Sequence, residues 1–137
     1  MLTTLVVCLA NCIATPTSIE DQLGTLAGSY VQLCYEMHHL KRTQCPANLE
    51  LPVIMQCFND VDRELPANYR PEFRKGISAM QAYFENQLGN QVEAKFNRIK
   101  NANSNDQELS CYDMVAENKK QRFQKMQQLK IMSKKSH

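Results

Sequence analysis

Apolar residues recur at helical spacing from residue 19 onward and divide the chain into four amphipathic stretches. Ile19, Leu23, Leu26, Tyr30, Leu33, Met37 and Leu40 follow one another at steps of 4, 3, 4, 3, 4 and 3. That rhythm lays all of them on one face of a helix. Thr17 is placed to cap this helix, with Glu20 three residues on closing a capping box. Lys41 and Arg42 suit the negative end of its dipole. A second, shorter helix is expected from near Glu50, with Pro52 in its first turn and Leu51, Ile54, Phe58, Val61 and Leu65 along one side. Pro66 stops it.

Pro71 can open a third helix of about 30 residues. Its apolar positions are Phe73, Ile77, Met80, Phe84, Leu88, Val92, Phe96 and Ile99, at steps of 4, 3, 4, 4, 4, 4 and 3. The polar run from Asn101 to Asn105 ends it. Ser104 or Asn105 can cap a fourth helix, with Asp106 and Glu108 in its first turn. Leu109, Tyr112, Val115, Ala116, Phe123 and Met126 are expected to face inward there. Glu117 to Arg122 are all polar, so this stripe is the poorest. From about residue 130 the basic end is expected to fray. No stretch alternates with period two for long, and no Asn-Gly or Asp-Gly pair marks a hairpin. The fold class that follows is all-α: an antiparallel four-helix bundle with short loops, in one domain over 15–137.

Residues 1–14 carry no charged side chain and read as a secretory signal peptide. Leu5 to Ala10 forms the apolar stretch, and Cys12 and Ala14 are the small residues ahead of a cleavage site after Ala14. The segment is too short to span a bilayer, which takes about 20 apolar residues. Cleavage leaves four cysteines, Cys34, Cys45, Cys57 and Cys111, an even number that implies disulfides in an exported chain. Structural zinc sites usually show ligand pairs two to four residues apart, and none of these cysteines is so close to another. Cys34 lies about two turns before the end of the first helix and Cys57 about two turns into the second. In an antiparallel pair they face each other. Cys45 sits in the loop between those helices, at the bundle end where the fourth helix begins with Cys111. The expected pairs are therefore Cys34–Cys57 and Cys45–Cys111, and with them the bundle is braced by two disulfides.

Charge is uneven although the total is only +2: residues 15–68 carry −4 and residues 69–137 carry +6. The candidate basic surface is Lys119, Lys120, Arg122, Lys125 and Lys130, ordinary as a solvated helix face or able to dock on something acidic. Tyr30, Met37, Phe58, Phe73, Met80, Phe84 and Phe96 are candidates to line an apolar ligand pocket, though at helical spacing they also suit a plain core. His38 and His39 are adjacent and point about 100° apart on a helix, too divergent to chelate one ion. No nucleophile-elbow serine, free thiol after disulfide formation or Gly-rich phosphate loop offers a catalytic set. No enzyme activity, metal, cofactor, nucleic-acid partner or membrane partner is expected. The expectation is a secreted module for extracellular protein interaction or signalling. A carrier of a small hydrophobic ligand is the alternative, and a cationic membrane-active or host-defence factor the second. Oligomeric state is left open.

Overall fold

The computed structural model describes residues 18–103 and 106–135. Residues 1–14, Thr17, Ser104 and Asn105 lie outside that range, and with them the signal peptide and two of the expected caps. Among the described residues five α-helical segments occur in the order α1 (Ile19–Arg42), α2 (Ile54–Glu64), α3 (Arg70–Ala82), α4 (Leu88–Ala102) and α5 (Gln107–Lys135). A π-helical turn, Tyr83–Gln87, joins α3 to α4, so the two make one long third helix. The chain is thus an all-α antiparallel four-helix bundle braced by two disulfides, with no strand among the described residues. Cys34 pairs with Cys57 and Cys45 with Cys111, at Cα–Cα distances of 6.7 and 5.7 Å. Both pairs are those expected from the bundle topology.

Helix α1 is the axis of the molecule and touches every other helical segment. Ser18 caps it, its hydroxyl accepting from the Asp21 amide at 3.0 Å. The expected stripe is only half of what α1 buries. Leu23, Tyr30, Leu33, Met37 and Leu40 are inside, and so are Ala27, Val31, Cys34, Tyr35 and His39 on the adjoining face. Ile19 stays at the surface. The extra burial arises because α1 is enclosed from several sides.

Helix α2 starts at Ile54 rather than near Glu50. Pro52 disfavours helical geometry at Leu51, and Val53 is extended, with φ −87° and ψ 125°. Val61, Leu65 and Cys57 are buried, and Phe58 packs against the core at its edge.

The third helix keeps Phe73, Ile77, Phe84, Leu88, Val92 and Phe96 all inside. A regular α-helix turns about 100° per residue, so each step of four drifts about 40°. The run from Phe84 to Phe96 would then rotate away from the core. The π turn supplies the correction, because one extra residue in a turn sets the phase back by about 100°. Leu88 N–H bonds the Tyr83 carbonyl instead of that of Phe84. The Phe84 carbonyl accepts from His39 Nε2 of α1. His39 is buried and pins the irregular turn. Gly89 makes room for it, since a Cβ there would stand 3.1 Å from His39 Nδ1.

Two corrections concern α5. Its inner face is Ser110, Cys111, Met114, Asn118, Leu129 and Ser133, with only Val115 and Met126 of the expected set packed against the core. Leu109, Tyr112 and Phe123 are turned out to solvent. The end does not fray at residue 130 either: the helix continues to Lys135, with Ser133 buried and Met132 packed on the core. The physical reason is that the inner face has one further turn to cover beside the start of α1. Asp106 caps this helix by accepting from the Leu109 amide at 3.0 Å.

Candidate interaction surface

The outward rotation of α5 produces the most unusual exterior of the molecule. At about 100° per residue, Leu109, Tyr112, Ala116, Lys119, Phe123, Gln127, Lys130 and Lys134 fall in a sector about 80° wide. Lys120 and Ile131 border it. Leu109 is 45 % exposed, Tyr112 46 %, Phe123 65 % and Ile131 55 %. Large apolar side chains this open are normal singly; here four of them share one helix. The charge along that row is graded. Glu108, Asp113 and Glu117 flank its first half, whereas no Asp or Glu occurs from Asn118 to His137.

The five expected basic residues do share this helix, but they divide between two environments. Lys119, Lys120 and Lys130 are exposed, while Arg122 and Lys125 are half-buried on the flank. Arg122 is committed to structure, its Nε donating to Asn118 Oδ1 at 2.7 Å. Asn118 in turn donates from Nδ2 to the Leu33 carbonyl of α1 at 2.8 Å. Nearby, burial pushes the Glu36 carboxyl above its ordinary range, while Lys95 and hydrogen bonds from Gln32 and Asn118 hold it part-way back. This network explains how a polar stretch can form a helix interface: its buried groups find partners.

Comparison with family models, curated proteins and solved structures finds no match to this chain.

The seven apolar candidates are not gathered around one cavity. Phe73, Met80 and Phe84 border a groove of about 330 Å³ between α1 and α3, which also runs past Gly24, Gly28 and Gly76. Tyr30 lines a different depression with Asp60, Glu64 and Lys130, and Phe96 another with Glu93 and Asn97. Met37 is in the core and Phe58 packs at its edge. Sequence reasoning missed a separate apolar groove of about 470 Å³, formed by Thr25 and Leu26 of α1 with Ile131 and Met132 of α5. Only the continuation of α5 past residue 130 creates it. All these grooves open to solvent.

The histidines border a polar recess with Tyr35, Arg42, Glu85 and Asn86. Burial, then the charges of Arg42, His39 and Lys41, lowers the His38 pKa below its ordinary 6.5. No group of three His, Cys, Asp or Glu among the described residues is placed to hold a metal ion. No helix among them is long and apolar enough to cross a membrane. Two closed disulfides are the bonding state of an oxidising environment.

Proposed function

We propose that this chain is a secreted, non-catalytic module that acts by protein interaction outside the cell, with the outer face of α5 as its contact surface. The observation that carries this reading is the row Leu109, Tyr112, Phe123 and Ile131, exposed on a helix whose inner face is already fixed by packing and a disulfide. Aromatic anchors on a rigid element, ringed by charge, are the usual currency of protein interfaces. Secretion is supported by the two disulfides together with the apolar, uncharged residues 1–14.

The test is a photo-crosslinking amino acid placed at position 123, with exposed Ala94 on α4 as the control position. Expression in a secreting cell should deliver the protein to the medium, beginning at Thr15. Crosslinks to protein should form from position 123 and not from 94. Equal crosslinking from both positions, or retention in the cytosol, would overturn the proposal.

The groove between α1 and α5 favours a second reading, an extracellular carrier of a small hydrophobic ligand. At about 470 Å³ it is large enough for one, and Leu26, Ile131 and Met132 give it an apolar lining. Native mass spectrometry of the secreted protein separates the two, since a carrier keeps a bound lipid-like mass.

A further inference from the structure

We propose that the groove between α1 and α3 is a binding site for a small organic cation, a primary amine on an apolar chain. The site is separate from the α5 face and from the groove between α1 and α5, and its fate leaves both readings of those untouched.

Missing side chains make the space. Gly28 of α1 and Gly76 of α3 both border the groove, and a Cβ at either would meet nothing within 4 Å. Phe73, Ile77 and Phe84 line it and are themselves buried, so their places are fixed by the core. Met80 lines it too and is 44 % exposed, although it belongs to the expected inward stripe. From Gly24 to Gln32 the groove follows eight residues of α1. That is about 12 Å, the length of an extended chain of about eight carbons and its amine.

Charge selects the occupant, because one end of the groove is acidic. Tyr69 closes that end, its hydroxyl so near α1 that a Cβ on Gly24 would stand 2.5 Å from it. Burial raises the Tyr69 pKa, and the charges of Glu72, Asp21 and Glu20 raise it further. Three carboxylates thus act on one hydroxyl. They come from the first turns of α3 and α1, where each helix start offsets about half a charge. Three negative charges against about one positive leave this end negative. Among the described residues no Lys, Arg or His lines the groove, and none forms an ion pair with Glu72. The cations of α3 are engaged or turned away. Arg74 is held by Asp62 at 2.7 and 3.1 Å, and Arg70 donates to the Leu65 and Arg63 carbonyls. Lys75 points about 100° away from Gly76 around the helix. An ammonium beside Glu72 and Tyr69 therefore meets a carboxylate and a hydroxyl, with its chain along Phe73, Ile77 and Phe84. A carboxylate head would be repelled there, and at the other end would meet only the uncharged Ser29 and Gln32.

Amide NMR titration of the purified, oxidised protein tests this, with octylammonium, octanoate and 1-octanol as probes. Octylammonium should shift the Gly28 and Gly76 amide signals saturably, with Kd on the order of 0.1–1 mM for so small a ligand on an open groove. Octanoate should bind at least about tenfold more weakly, and 1-octanol between the two. Gly28→Leu should fill the groove and abolish the saturable shift at Gly76. Its Tm should be unchanged or higher, since the added side chain enters open space and leucine favours a helix over glycine. If that variant fails to fold, Gly76→Leu, read at Gly28, serves in its place. Glu72→Gln should weaken octylammonium roughly three- to tenfold and leave 1-octanol unchanged. The proposal is overturned if octylammonium gives no saturable shift up to about 10 mM. Equal binding of octanoate overturns it too, as does full binding by a folded Gly28→Leu. Shifts confined to Leu26 and Met132 would move the ligand to the groove between α1 and α5, which overturns this site and favours the carrier reading. A photo-crosslinker at position 76 that captures a protein, whether a second copy or another chain, shows a macromolecule seated on the groove and also overturns it.

Discussion

Gly89 and His39 should be strongly coupled in stability although they are fifty residues apart in the chain. The perturbation is a double-mutant cycle of Gly89→Ala and His39→Ala. Alanine at an ordinary helical position stabilises by about 0.8–1.0 kcal/mol over glycine. At position 89 the new Cβ would sit 3.1 Å from His39 Nδ1 and 3.3 Å from Cε1. The ring cannot retreat freely, because its Nε2 is bonded to the Phe84 carbonyl. Crowding of this kind costs about 1–3 kcal/mol, so Gly89→Ala alone should destabilise by about 1 kcal/mol net. His39→Ala removes the buried donor to Phe84 and leaves a void, a loss of about 2–4 kcal/mol. With the ring gone, Gly89→Ala should recover its helical preference and stabilise by up to about 1 kcal/mol. The coupling is then about 2 kcal/mol, well above the few tenths expected of independent sites. Urea unfolding of the four oxidised proteins measures it. If Gly89→Ala has the same effect with and without His39, to within about 0.5 kcal/mol, the close approach of this ring to α4 is wrong.

Replacing Cys45 and Cys111 with Ser opens a loop of 66 residues. It should cost about 4 kcal/mol and accelerate hydrogen exchange first across residues 107–126. Truncation after Leu129 should lower Tm by several degrees, since it strips Met132 and Ser133 from the base of the bundle; an unchanged Tm would show that the last turn contributes nothing. Glu36 supplies a pH test. Its folded pKa is raised, so the folded state binds the proton more tightly than the unfolded chain. Stability is highest below the ordinary carboxylate value of 4.5 and falls as pH rises towards the raised folded value. Glu36→Gln should flatten that fall, so its Tm relative to wild type should be higher at pH 8 than at pH 4; a difference independent of pH would refute the burial argument.

Much of the fold was legible because it depends on topology more than on boundaries. Cys34 and Cys57 meet even though α2 begins four residues later than expected, since the antiparallel turn still brings their levels together. The π turn was also written in the chain. Three consecutive steps of four from Phe84 to Phe96 are more than a regular helix can keep on one face, and an inserted residue is the remedy; Met80, one step earlier in the expected stripe, is 44 % exposed. What the spacing could not give was the partner of the freed Phe84 carbonyl. That is His39, contributed by the neighbouring helix from a position outside the stripe read there. The second buried face of α1 stayed hidden for a related reason. Ala27, Cys34, Tyr35 and His39 are small, polar or aromatic residues that periodicity counts weakly, and only enclosure from several sides buries them.

The face of α5 was misread because hydrophobicity was used where covalent geometry decides. Cys111 must point inward to reach Cys45, and that single bond fixes the rotation of the helix. Met114, Asn118, Lys125 and Leu129 then fall on the same side, at three, seven, fourteen and eighteen residues from Cys111. Tyr112 is necessarily about 100° away, and Leu109, Ala116 and Phe123 go with it. The cost of this choice is a polar inner face, met by the Asn118 amide bonding the Leu33 carbonyl and the Arg122 guanidinium. Its consequence is an outer face that leaves Leu109, Tyr112 and Phe123 exposed. The candidate interaction surface and the expected disulfide are thus one feature: pairing Cys45 with Cys111 turns Tyr112 and Phe123 outward.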